Sequence, residues 1–168
     1  MPLDDRGSPV ETEFADFYAA HFPSLCKQLY AYTGDRGEAQ ELVQEAFSRG
    51  WAHWPKIRGY DDPAAWVRTV AWRLAVSRWR RARRAFAFLA GQREEPAVPP
   101  PDPAHVALVA ALATLPPNHR RAIVLHYLAD VPVAEIAASE RVADGTVKSW
   151  LHRGRTALAV QLGERTAR

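Results

Sequence analysis

The sequence predicts an all-α chain of two small helical modules joined by a Pro-rich linker, the C-terminal one a helix-turn-helix. Three observations predict it. Apolar residues recur at three- and four-residue spacing in segments bounded by capping residues, Gly or Pro. Residues 91–103 read GQREEPAVPPPDP, which cannot continue a helix and should form a semi-extended spacer of about 40 Å at ~3.1 Å per residue. Residues 131–161 carry a short helix, a tight turn and a longer helix in helix-turn-helix spacing. A chain of 168 residues can hold one medium domain or two small ones, and the linker favours two. The expected boundaries are a disordered N-terminus over 1–10, a helical module over 11–90, the linker over 91–103 and the helix-turn-helix module over 104–168.

An aromatic-rich segment from Glu13 to Thr33 opens the first module, with Pro23 either kinking one helix or starting a second, and Gly34 closing it. Asp35 and Glu38 then make a D-x-x-E capping pattern before a helix that reaches Trp54 and is stopped by Pro55. On that helix Ala39, Leu42, Val43, Ala46, Phe47, Trp51 and Trp54 share one side, and Glu38, Glu41, Glu45 and Ser48 form an acidic stripe opposite.

Asp62 and Pro63 start the next helix, as N-cap and first helical residue, and it should run to about Phe88. From Asp62 to Gln92 the chain has seven arginines and, after Asp62, no acid. At helical pitch Trp66, Val67, Val70, Ala71 and Leu74 form the expected buried stripe, whereas Trp72 and Trp79 point to the other side beside Arg68, Arg80 and Arg83. Aromatics among guanidinium groups on a solvent face suit unpaired bases and phosphates. A protein contact or a second buried face remain the alternatives.

In the second module Asp102 and Pro103 restart helix, Pro116 and Pro117 break it, and residues 118–128 form a further amphipathic segment. On the last helix Val147, Leu151, Gly154 and Leu158 make the inner stripe. Thr146, Ser149, His152, Arg153 and Thr156 then point outward, suited to base edges and phosphates, with Lys148 and Arg155 at the border as phosphate contacts.

Composition narrows the function classes. The net charge of +3 hides an asymmetry, because Met1 to Ser48 holds nine acids against Arg6, Lys27 and Arg36. Of 22 basic residues only Lys27, Lys56 and Lys148 are lysine, which favours bidentate contacts, although a GC-rich genome gives the same bias. The lone Cys26 excludes a disulfide framework and, with a polar, acidic N-terminus and no long apolar run, leads to the expectation of a soluble cytoplasmic protein without a membrane partner. The six histidines show no metal-ligand spacing and no Gly-rich phosphate loop occurs, so neither a metal, a cofactor nor catalysis is expected.

The run from Glu41 to Phe47, the segment Asp62 to Trp66, Leu115 with Pro116, and Gly145 to Ser149 followed by Leu151, His152 and Arg153 together resemble a group 4, extracytoplasmic-function sigma factor of bacterial RNA polymerase. The resemblance covers about Phe14 to Leu162. It implies that Glu38, Glu41, Gln44 and Glu45 bind core RNA polymerase and that Arg68, Trp72, Arg73, Trp79, Arg80 and Arg83 bind the melted −10 strand of promoter DNA. It further implies that Thr146, Lys148, Ser149, His152, Arg153 and Arg155 bind the −35 duplex, and that an anti-sigma factor is a partner. The chain departs from the family pattern at Arg73, where many members have Asn, at Arg141, where Gly is common, at Ala143, where Ser is frequent and Asp144 is the substitute cap, and at Trp150, where Arg is frequent. A conventional helix-turn-helix regulator that does not bind core polymerase is the other reading; it has no need of the acidic helix or the Arg and Trp run.

Overall fold

The computed structural model describes residues 8–86 and 103–166, all helical or in short turns, with no strand among them. The linker expectation, the ends of the chain and the run past Phe86 lie outside the described residues. Helix α1 spans Pro9–Thr33 as one helix with Pro23 inside it. Its start corrects the expected disorder as far as residues 8–10 are concerned: a capping box ties Ser8 to Glu11, whose Oε2 accepts from the Ser8 amide at 2.8 Å. Gly34 ends α1 in the left-handed region, at φ 75°, and its amide returns to Tyr30 O at 2.8 Å.

Helix α2 spans Arg36–Ala52 and starts as its sequence dictates, with Asp35 Oδ1 accepting from the Glu38 amide at 2.9 Å. It stops two residues before Trp54. Trp54, placed on α2 by its spacing, instead opens a four-residue helix, α3 (Trp54–Ile57), in which Pro55 occupies the first turn where its missing N–H costs nothing. Helix α4, Pro63–Phe86, is capped by Asp62 Oδ1, which accepts from Ala65 N at 3.0 Å.

These helices close on an aromatic cluster. Phe14, Phe17, Tyr18 and Phe22 of α1 surround Phe47, and Phe14 and Phe17 also meet Trp54 with ring centroids at 5.0 and 4.8 Å. Gly50 lets α2 approach α4, since a Cβ there would stand 3.3 Å from Val67 Cγ2. Cys26 is half-buried in α1, and burial pushes its thiol up to about 11.

The second module comprises α5 (Pro103–Ala113), α6 (Pro117–Ile123), a π-helical turn (Val124–Leu128), α7 (Val133–Glu140) and α8 (Asp144–Thr166). The expected 118–128 helix is thus split by a widened turn that leaves Tyr127 and Leu128 exposed and returns Val131 to the core. Packing of α6 on α8 depends on Gly154, where a Cβ would lie 2.9 Å from Ile123 Cγ1. The buried side chains of the two modules form one contiguous cluster, with α1 packed against both α5 and the π-helical turn.

Candidate nucleic-acid interface

Helix α8 presents its outer face as its phase requires. Val147, Leu151 and Gly154 are buried and Leu158 half-buried; Lys148, His152, Arg153, Arg155 and Thr156 are exposed, with Thr146 and Ser149 half-buried at the edge. Thr156 Oγ1 donates to His152 O at 3.0 Å, and Arg155 Nη1 donates to Tyr127 Oη at 3.2 Å, which draws that guanidinium toward the π-helical turn. Trp150 packs against the core, so its side chain is committed to packing.

The turn before α8 holds Arg141 in the left-handed conformation, φ 56° and ψ 45°, a strained setting for a residue with a Cβ. The substitute cap expected at Asp144 is corrected: Asp144 is the first residue of α8, and Ala143 O accepts from Thr146 N at 2.9 Å. Asp144 still places a negative charge in the first turn, where the helix dipole favours it.

On α4 the observed face differs from the helical-phase expectation. Val67, Ala71, Trp72 and Ala75 are buried, while Trp66, Val70 and Leu74 are half-buried. Trp72, expected to face outward, is only 6% exposed and meets the Tyr32 ring edge-on at 5.0 Å. A second buried face, left open as an alternative, accounts for it: α4 packs on α2 along one side and on the end of α1 along another. Trp66 packs against the core with its ring 5.6 Å from that of His53.

Of the other α4 candidates, Arg73 is exposed and Trp79 half-buried. Arg68, expected on the outward face, is only 20% exposed, its Nη2 3.3 Å from Glu135 Oε1 on α7. The side chains of Arg80 and Arg83 lie outside the described residues. Arg78, which had no role assigned, reaches across to α2 and donates to Glu41 Oε2 at 3.1 Å.

The acidic face of α2 is largely where its spacing puts it. Glu41, Gln44 and Glu45 are exposed and Glu38 half-buried. Glu45 also accepts from Arg49 Nε at 2.8 Å, an exposed i,i+4 pair. Surface pairs of this kind contribute ~0–1 kcal/mol, so a basic partner could displace them at little cost.

Sequence reasoning missed the groups that join the two modules. Arg120 of α6 donates through Nη1 to Tyr32 O at 2.7 Å and through Nη2 to Ala113 O at 3.1 Å and Leu115 O at 3.4 Å. Burial lowers its pKa and raises that of Tyr32. Partners 88 and 67 positions apart, as for Arg120 with Tyr32 and Arg68 with Glu135, leave no periodic trace in a sequence. Two histidines are accounted for structurally, with Nδ1 of His53 and His126 donating to Arg49 O at 2.9 Å and Val131 O at 3.0 Å.

Residues 17–85 match the family described as Sigma-70 region 2, and residues 105–158 the one described as Sigma-70, region 4. The chain is 35% identical over 156 residues to the ECF RNA polymerase sigma factor SigL of Mycobacterium tuberculosis, across 88% of this chain and 87% of that protein. It is 29% identical over 166 residues to the ECF RNA polymerase sigma factor SigW of Bacillus subtilis, across 89% and 88%. In fold it is similar to the sigma factor RpoE from Bartonella quintana, solved with the anti-sigma factor NepR, at a TM-score of 0.72 and 23% identity over 90% of this chain and 98% of that one.

Proposed function

The chain belongs to the extracytoplasmic-function sigma factors of the sigma-70 family, and on that premise we propose how its surfaces divide the work of transcription initiation. The first module, 11–90, binds core RNA polymerase through Glu38, Glu41, Gln44 and Glu45 and takes the unpaired −10 strand on α4. The second, 104–168, anchors the upstream duplex at the −35 element through Thr146, Lys148, Ser149, His152, Arg153 and Arg155. The observation that carries this reading is the presence of both sigma regions, in order, in one chain. A conventional regulator would need the second alone.

Melting follows from differential binding. Bases that leave the duplex are held on α4 by Arg73, Arg68 and the half-buried Trp79, with Arg80 and Arg83 further along, offsetting the few kcal/mol lost in unstacking. Trp72 underlies this face as a packing residue instead of stacking on a base. Outward cations on α8 supply phosphate contacts and, through His152 and Arg153, hydrogen bonds to base edges. No bond is made or broken by this chain, which works in the cytoplasm beside the polymerase. An anti-sigma factor is its expected inhibitor, since the similar RpoE was solved in complex with one.

Run-off transcription with core polymerase tests the reading. Initiation at a defined set of genomic promoters is expected, and no transcript from any promoter in a genomic library would end it. The double variant Glu41→Arg, Glu45→Arg should lose core association while keeping duplex binding.

A further inference from the structure

The widened turn at Val124–Leu128 changes what Tyr127 can do. Tyr127 stands four residues past the buried Ile123, so regular helical spacing would carry it to the inner side. In the π-helical turn it is instead 50% exposed. Single π-helical turns inside α-helices recur at functional sites.

Three contacts fix where its hydroxyl lies. His126 Nδ1 donates to Val131 O at 3.0 Å, which anchors the imidazole to the segment leading into α7. The imidazole meets the Tyr127 ring edge-on, with centroids 4.9 Å apart, and so limits the rotation of the phenol. At the far end of the ring, Oη accepts from Arg155 Nη1 of α8 at 3.2 Å. A phenol that accepts in this way keeps its own proton to donate. The guanidinium of Arg155 has five N–H groups, and this bond places one of them on a neutral partner. Neither Arg155 nor Lys148 forms an ion pair among the described side chains, so no described acid offsets their charge.

These donors share one flank of α8. Lys148 and Arg155 are seven residues apart, so they are nearly eclipsed and roughly 10 Å from each other along the axis. The first turns of such a helix enter the major groove, and a residue this far along rises toward the wall of the groove, where the phosphates stand.

We propose that Tyr127 is a further duplex contact that closes with Arg155 on one phosphate of the −35 element. The phenol O–H donates to one phosphate oxygen and the guanidinium to another. The π-helical turn thereby extends the DNA surface beyond α8, to an element that precedes the helix-turn-helix in the chain. The clamp sets register and leaves sequence choice to α8, since phosphates carry no base identity. The inference rests on the assignment of α8 to the −35 duplex.

The test uses the full chain and a short DNA duplex that the unaltered chain has enriched from a randomised pool. Affinity is measured against salt concentration for the parent, Tyr127→Phe, Arg155→Ala and the double variant, with Arg153→Ala as a reference, all well below the lowest Tm. Tyr127→Phe keeps the ring against His126 and removes only the hydroxyl. It should bind about tenfold more weakly, as for loss of a hydrogen bond to a charged group. Its salt slope should not change, because no charge is lost, and neither should its preference among single-base variants of the duplex. Arg155→Ala should weaken binding and make the slope shallower by about one phosphate. In the Arg155→Ala background the further loss from Tyr127→Phe should shrink, since both groups act on one phosphate. Full affinity in Tyr127→Phe would overturn the proposal, whatever its Tm, because the hydroxyl would then only tie the turn to α8. Strictly additive losses, or an altered base preference, would overturn it as well. A parent that enriches no duplex ends the functional assignment and the clamp together; a loss in Arg153→Ala with none in Tyr127→Phe ends the clamp alone.

Discussion

Helices α4 and α8 are the two long helices assigned to DNA, and helical phase describes them unequally well. Along α8 the inner stripe Val147, Leu151, Gly154 is buried and the opposite side is solvent. Along α4 the stripe shifts, and Trp72, on the side assigned to solvent, is buried. The difference teaches what phase measures. A helix with neighbours on one side shows a single apolar arc, as α8 does against α5, α6 and α7. A helix wedged between two packing partners, as α4 is between α2 and the end of α1, buries a second arc that its arginines disguise.

Trp72→Ala should give the largest effect and would break the comparison most directly. Removing a buried indole costs ~3–5 kcal/mol, so denaturant unfolding should show a large loss, whereas the half-buried Trp79→Ala should cost much less. Equal stability of the two variants would restore Trp72 to a solvent-facing role. Its buried Nε1 finds no hydrogen-bond partner among the described residues, so Trp72→Phe should retain most of the stability.

Gly154→Val probes the single packed side of α8. With Ile123 Cγ1 2.9 Å from the position of a new Cβ, overpacking should cost ~1–3 kcal/mol, read as a lower Tm. Gly145→Ala, with nothing among the described residues within 4 Å of its added Cβ, is the control that should leave Tm unchanged or higher.

Arg153→Ala tests the exposed side. Stability should stay within ~0.5 kcal/mol, while duplex affinity falls and its dependence on salt becomes shallower by about one phosphate contact. An unchanged salt slope would show that this guanidinium does not sit on the backbone. Arg141→Gly should have a small effect on stability, of the opposite sign to Trp72→Ala and Gly154→Val. Relief of the left-handed strain at φ 56°, less the greater freedom of Gly in the unfolded chain, should raise stability by ~0.5–1 kcal/mol in chemical denaturation.

Much of the fold was legible because its signals are local. Asp35, Asp62 and Gly34 end or start helices through hydrogen bonds to residues three or four away, and those bonds form as their spacing requires. Less local features were less legible. The break between α2 and α3 and the widened turn at Val124–Leu128 interrupt segments that read as continuous, because packing of Trp54 and Val131 into the core outweighs helical continuity there.

Sequence alone determined the helical class, the two modules, the family, the acidic face of α2 and the solvent-facing side of α8. Each rests on spacing along one helix or on a contiguous motif, and nearest-neighbour geometry fixes it before any tertiary contact forms. Tertiary structure decided which side of α4 is core, that Arg68 is paired with Glu135, and that Arg120 clasps the end of α1. Those outcomes depend on helices meeting across 67 and 88 residues of chain, and a side chain's periodicity reports only the helix it belongs to.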